Sequence, residues 1–173
     1  MADYLTEQER YQGPQQQGVE KEEEVWHSLR LENTTPVPWT TAPAETIKDG
    51  QILGQDLIKY TPSGDKATLR ITRAMAVKAE QAEYETERQR NAAQFYGRTY
   101  DQVTLRGEMT VTNFKDETIT LEVKKTLSGK LISAEPQADV KSTAKGLKRV
   151  NPVHEPTWTL GLGAGRRREI TYS

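Results

Sequence analysis

The residues able to do chemistry are few. The two histidines, His27 and His154, are the only side chains whose ordinary pKa lies near neutrality. They lie far apart in sequence, and neither belongs to a metal-spaced pattern such as His-Glu-x-x-His. His154-Glu155, set between Pro152 and Pro156, places two metal-competent donors side by side, which an ordinary loop histidine explains equally well. The chain has no Gly-x-Ser-x-Gly elbow and no P-loop. Gly161-Leu162-Gly163-Ala164-Gly165 superficially suggests a dinucleotide fingerprint, but that motif needs a helix after the turn, and here the pattern predicts a strand. With no cysteine there is no thiolate nucleophile, disulfide or cysteine-based zinc site. Asp49, Asp56, Asp65 and Asp116 fall at predicted turns, where Asp bonds neighbouring backbone; calcium at one end of a sandwich is the alternative. The expectation is therefore no catalytic residue, no metal and no cofactor.

Binding chemistry is better represented. Trp26, Trp39 and Trp158 with Tyr60 and Tyr96 offer flat apolar faces with polar edges, suited to stacking on sugars; anchoring a core is the competing role. Arg166-Arg167-Arg168 suits an acidic or phosphate-bearing ligand, or a charged device that protects a strand edge. The candidate contact residues are Trp39, Trp158, Tyr96, Arg166, Arg167 and Arg168. Glu80 to Arg90 mixes both signs of charge, as a solvated ribbon or a partner-docking surface would. Asn33-Thr34-Thr35 is formally a glycosylation triplet.

The elements that must position these groups read as strands. At 173 residues and 34% hydrophobic, the chain suits a thin two-layer core with many outward polar positions, plus a polar tail. A net charge of -1 gives no field to draw in nucleic acid or an anionic surface. No apolar run is long enough to span a bilayer, and MADYLTEQER lacks the basic and apolar regions of a secretion signal. Residues 1–24, rich in Gln and Glu, predict a flexible tail or linker, since they bury too little apolar surface to offset their ordering entropy.

In Val103 to Thr126, the residues Val103, Leu105, Met109, Val111, Ile119, Leu121 and Val123 alternate with polar ones. This predicts two half-buried strands, joined as a hairpin through Asn113–Glu117. Pro36, Pro38 and Pro43 confine their stretch to an edge strand or extended loop, with Trp39 as its anchor. Asp49-Gly50 and Pro62-Ser63-Gly64 predict tight turns. Ala74 to Asn91 fits an amphipathic helix on local propensity, although a long strand is also compatible with it. Ala134 to Val153 reads as a long loop docked by Val140, Leu147 and Val150, and Trp158–Leu162 and Arg166–Ser173 read as strands around the Gly163–Gly165 turn.

Two parts of the chain follow one plan. Leu29-x-Leu31-x-Asn33 matches Met109-x-Val111-x-Asn113, and each half closes with a glycine turn and a strand, Pro62-Ser63-Gly64 to Ile71-Thr72 and Gly163-Ala164-Gly165 to Ile170-Thr171. Asn tolerates left-handed backbone and bonds its own main chain, and Gly supplies positive φ. The echo implies two β-units, at about 25–73 and 100–173 within one domain over 25–173.

The same stretches carry a resemblance. LRLENTTPVPWTTAPAETIKDGQILGQDLIKYTPSGDKATLRI, GEMTVTNFKDETITLEV and WTLGLGAGRRREITYS resemble the C-terminal domain of unknown function of mucoidy-inhibitor-A-like bacterial proteins, over roughly Trp26 to Ser173. The resemblance implies an all-β, immunoglobulin-like antiparallel β-sandwich. It also implies a long protruding hairpin made of Ala67 to about Glu87 and Tyr100 to Val111, in place of the helix. It supplies no catalytic residues. The functional expectation is a non-catalytic structural or protein-interaction module, associated with the cell envelope in the full-length protein, whose partner is a protein or neighbouring domain; the alternative is a carbohydrate-binding module using exposed tryptophans.

Overall fold

The computed structural model describes residues 21–142 and 151–173. In chain order its strands are β1 (Lys21–Glu23), β2 (Trp26–Glu32), β3 (Ala42–Lys48), β4 (Gln51–Ile58), β5 (Lys66–Arg73), β6 (Val77–Phe95), β7 (Arg98–Asn113), β8 (Ile119–Lys124), β9 (Leu127–Ser128), β10 (Ala134–Glu135), β11 (Asp139–Ser142), β12 (Val153–Leu162) and β13 (Arg167–Tyr172). The described residues contain no helix. They fall into two compact units, one of Glu24–Lys78 and one of Ala79–Ser173 with β1.

In the smaller unit β2 pairs antiparallel with β5, and β3 with β4. The β3–β4 hairpin turns on Asp49 (φ 52) and Gly50 (φ 77), the paired positive values that an Asp-Gly turn supplies. β3 is an edge strand, which lets it carry Pro43. Gly54 faces β5 so closely that a Cβ there would sit 2.2 Å from the Ile71 carbonyl oxygen. Asp56, expected at a turn, lies instead within β4; its carboxylate accepts from the Arg70 N–H (2.7 Å) and the Leu57 N–H (2.8 Å), and the first of these chiefly lowers its pKa.

The larger unit is sandwich-like. One sheet has the order β1-β6-β7-β13-β10, and the other runs β11-β12-β8 with β9 added to β12. Met109, Ile170 and Tyr172 from the first sheet pack on Trp158 from the second, and Val123, Leu127, Leu131, Ala134, Ala138 and Leu160 close around them. Burying each such large side chain contributes about 1.5–3 kcal/mol. Gly107 on β7 lies beneath the Tyr172 ring, where a Cβ would overlap it.

Several expectations are corrected. Ala74–Asn91 follows the long-hairpin expectation and not the helix that local propensity allowed: after a turn at Ala74–Ala76, β6 pairs with β7, which satisfies its backbone. The long hairpin strand starts at Val77, not Ala67; Ala67 to Arg73 belongs to β5 and pairs with β2. Val103–Thr126 is not a hairpin. β7 pairs with β13 while β8 pairs with β12, so the Asn113–Glu117 connection arches from one sheet to the other. Val103 and Leu105 are exposed, because β7 leaves the sandwich beyond Gly107. Val140 is also exposed, and the insert docks through Leu127, Leu131, Ala134 and Ala138 instead; Leu147 and Val150 lie outside the described residues. Residues 1–20 of the expected tail lie outside them too, whereas Lys21–Glu23 is strand β1, paired with Ala79–Gln81.

The internal echo is present in atomic detail. Asn33 and Asn113 are both fully buried. The Asn33 N–H donates to Asp65 O (2.8 Å), and the Asn113 N–H to Arg166 O (2.9 Å). Asn33 Nδ2 donates to Val37 O and Thr61 O; Asn113 Nδ2 donates to Glu117 O, Leu162 O and Gly163 O. Each Oδ1 accepts the N–H two residues on, of Thr35 and of Lys115. Matching Asp65 with Arg166 aligns Leu69 with Ile170, two residues earlier than the sequence comparison of Ile71 with Ile170.

Candidate functional site

Within the larger unit, Tyr96 precedes one end of β7 and Arg166, Arg167 and Arg168 lie at its other end. Trp158 is 1% exposed, and its indole N–H donates to Pro136 O at 2.8 Å. It is a core residue, so it is withdrawn as a ligand contact and from any sugar-stacking platform. Its alternation on β12 shows it on the face shared with Leu160 and Leu162, which is the signal that identifies it as core. Trp39 is half-buried and exchanges backbone hydrogen bonds with Thr61 (2.9 and 3.0 Å). Trp26 is half-buried, with the Arg70 and Arg73 guanidinium groups 5.3 and 6.0 Å from its ring. Asn33 is no glycan acceptor in the folded chain, since its amide is buried and spent on two carbonyls.

Arg166, Arg167 and Arg168 are exposed at the start of β13, and Arg167 donates to Thr110 Oγ1 (3.2 Å) on β7. His27 is exposed, and His154 is half-buried with its Nδ1 buried and unpartnered. Among the described residues no three His, Asp or Glu side chains come together as a metal would require. No helix of the described residues is long and apolar enough to cross a membrane.

One polar cluster has the composition of an acid–base site: Glu83 on β6, Lys125 after β8, and Tyr172 on β13. The Tyr172 hydroxyl donates to Glu83 Oε1 at 2.5 Å, Lys125 Nζ lies 3.1 Å from the same oxygen, and the ammonium stands 5.6 Å from the centre of the phenol ring. Burial, then the Glu83 carboxylate, raises the Tyr172 pKa far above that of an ordinary phenol. Burial opposes ionisation of Glu83, but the bonds from Tyr172 and Lys125 outweigh it and hold its pKa below the usual value. Both shifts fix the resting protonation states, a neutral phenol and an ionised carboxylate. The three groups form a clamp that ties the root of β6 to β13 and to the residue after β8. The sequence hides it because Glu83 and Tyr172 are 89 residues apart.

Beyond that clamp β6 and β7 continue as a two-stranded ribbon whose residues are mostly exposed. Arg88 grips Glu85 through two bonds (2.8 and 2.7 Å) and reaches Asp101 on the other strand at 3.5 Å. Thr86 Oγ1 donates to Thr104 O across the ribbon. At the tip Tyr96 is 93% exposed and takes φ 49, ahead of Gly97 at φ 71. Phe95 meets the Tyr96 ring edge-on, with centroids 4.6 Å apart. Two-residue turns of this kind favour Asn or Gly at the first position, and a bulky side chain in left-handed backbone costs on the order of 1 kcal/mol.

Comparison of the chain with protein-family models, with curated proteins and with solved structures finds no match.

Proposed function

We propose that the chain is a non-catalytic protein-interaction module, and that the β6–β7 ribbon presents its aromatic tip to a partner. The observation that carries the reading is Tyr96: a nearly fully exposed aromatic ring held at a strained turn position, where Asn would serve the fold better. Tyr gives a partner a large rigid surface at small entropic cost. The tip is carried on two paired strands, with the clamp at their root and the Arg88–Asp101 ion pair across them. We place the fold among immunoglobulin-like sandwiches and relate it to the C-terminal domain of mucoidy-inhibitor-A-like proteins. The support is the corner asparagines, the glycine turns and the closing Trp-x-Leu-x-Leu strand, which repeat the order of that domain. Nothing specific favours carbohydrate, since Trp158 is buried.

Tyr96→Asn separates fold from function. The variant suits the turn and should melt no lower than the parent. A photo-crosslinking amino acid at position 96 should label one discrete protein in a lysate of the producing organism, and Tyr96→Asn should lose that protein in affinity capture. Equal capture by the parent, by Tyr96→Asn and by a chain whose ribbon is shortened to its root would overturn the reading.

A further inference from the structure

Strand β13 has an open edge in the larger unit. β7 pairs with all of it, but on the other side β10 meets only Thr171 and Tyr172. Ser173 exchanges backbone bonds with Ser133 (3.0 and 3.2 Å), so its N–H and C=O point to the β10 side. Alternate residues of a strand point their backbone groups the same way, which directs Thr171, Glu169 and Arg167 to that side as well. The Arg166 carbonyl follows the same alternation, turning the other way to accept from the Asn113 N–H of β7 (2.9 Å). Beyond Thr171 no strand of the described residues takes up this lane, and Arg167, Arg168 and Glu169 are exposed. Among the described residues no backbone bond reaches Arg167 or Glu169 from that side. Their N–H and C=O groups are a template for one more strand.

The side chains beside this lane are basic. Arg168 lies on the side of β13 that carries the buried Ile170 and Tyr172, yet is itself exposed. Arg166 stands two residues away on the same side, about 6.6 Å along the strand. Among the described residues no carboxylate pairs with either guanidinium. The matched corner of the smaller unit forms without arginine. Setting Asp65 against Arg166 sets Lys66 and Ala67 against Arg167 and Arg168, and there Asp65 accepts the Lys66 N–H (2.8 Å) while Lys66 pairs with Glu32 (4.0 Å). The arginines are therefore not needed by the corner. A charged edge deters pairing in general, but carboxylates on the incoming strand turn the same charge into attraction.

Backbone and charge together choose the occupant. Two-fold pairing of this edge with a second copy, centred on Arg167 or Arg168, sets guanidinium groups against one another. A uniform polyanion fits poorly, because Glu169 belongs to the same edge. We propose that an extended segment of a partner protein adds antiparallel to β13 in line with β10, with acidic residues at positions j and j+2 opposite Arg168 and Arg166. Residues j−1 and j+1 then exchange backbone bonds with Glu169 and Arg167. Residue j meets Arg168 as a non-hydrogen-bonded pair, where opposed side chains stand closest. The site lies at the other end of β7 from the Tyr96 tip, and variants of the two act separately.

The probe is the end-blocked peptide Val-Thr-Glu-Thr-Glu-Val, titrated into the nitrogen-15-labelled full chain and followed by NMR. Saturable shifts are expected at Arg167, Arg168 and Glu169. The Arg167 and Glu169 amides should exchange more slowly with solvent when the peptide is bound, whereas the Arg168 amide, turned to β7, should not change. Arg166→Gln combined with Arg168→Gln should weaken binding about tenfold. Two altered peptides test the same contact without touching the protein. Glutamine in place of both glutamates should weaken it similarly, and proline in place of the second threonine should abolish it by removing a ladder donor. The proposal fails if the titration does not saturate, if the double variant binds equally, or if the glutamine peptide binds equally. Equal binding of the proline peptide would reduce the contact to charge attraction and also overturn it. So would sedimentation showing a dimer that the double variant dissociates, since a second copy would then hold the edge.

Discussion

Asn113 shows how much one amide decides. Its Nδ2 faces three carbonyls, of Glu117, Leu162 and Gly163, and its Oδ1 takes the Lys115 N–H. The chain there leaves one sheet for the other, so its backbone groups have no ladder partner and the side chain stands in for the missing strand. Asn113→Ala should destabilise the chain by about 3 kcal/mol, as buried carbonyls lose their donor. Asn113→Asp should cost more at neutral pH, since a carboxylate would confront those carbonyls. Urea unfolding monitored by far-ultraviolet circular dichroism checks the order; an Asp variant as stable as the parent would remove the amide from its donor role.

At the scale of elements, the join between ribbon and sandwich is the informative one. Glu83 has a lowered pKa in the folded chain, so its contribution to stability is present above the unfolded value near 4.5 and is lost as pH falls through the folded value. Tyr172 has a raised pKa, so its contribution is complete below the unfolded value near 10.0 and declines as pH rises beyond it. Stability should therefore have an acid limb that Glu83→Gln flattens and an alkaline limb that Tyr172→Phe flattens. Chemical denaturation from pH 3 to 11 measures both (the pH range follows the ordinary carboxylate and phenol values). If the clamp is structural, neither variant removes binding at the ribbon tip, although both loosen its root.

For the molecule as a whole, the two units follow one plan with unequal apolar burial. The cluster around Trp158, Met109, Ile170 and Tyr172 lies wholly in the larger unit. The smaller unit buries Ala67, Leu69 and Val77 but leaves Leu57, Ile47 and Ile52 exposed. Apolar burial is the main favourable term in folding, so the smaller unit should open more readily. Amide hydrogen exchange followed by mass spectrometry should show β3 and β4 exchanging first and the β7–β13 ladder last. Uniform protection across both units would contradict this order.

What the sequence settled was local. Alternation marked strands because side chains on a strand point to opposite faces, and Asp49-Gly50, Gly64 and Gly165 marked turns because positive φ is costly for other residues. The paired corners were legible from Leu29-x-Leu31-x-Asn33 and Met109-x-Val111-x-Asn113, since a buried Asn at a strand end has a backbone task wherever it occurs. Pairing was not legible. Strand partners are chosen by contacts distant in sequence, which is why β7 and β8 read as a hairpin yet lie in different sheets, and why Ala74–Asn91 suggested a helix until pairing with β7 satisfied it. Burial of Trp158, the Glu83–Tyr172–Lys125 clamp and the exposure of Tyr96 were likewise tertiary outcomes. Residue type supplied the capacity for each of these contacts; only the folded chain decided which side chains met and which were left facing water.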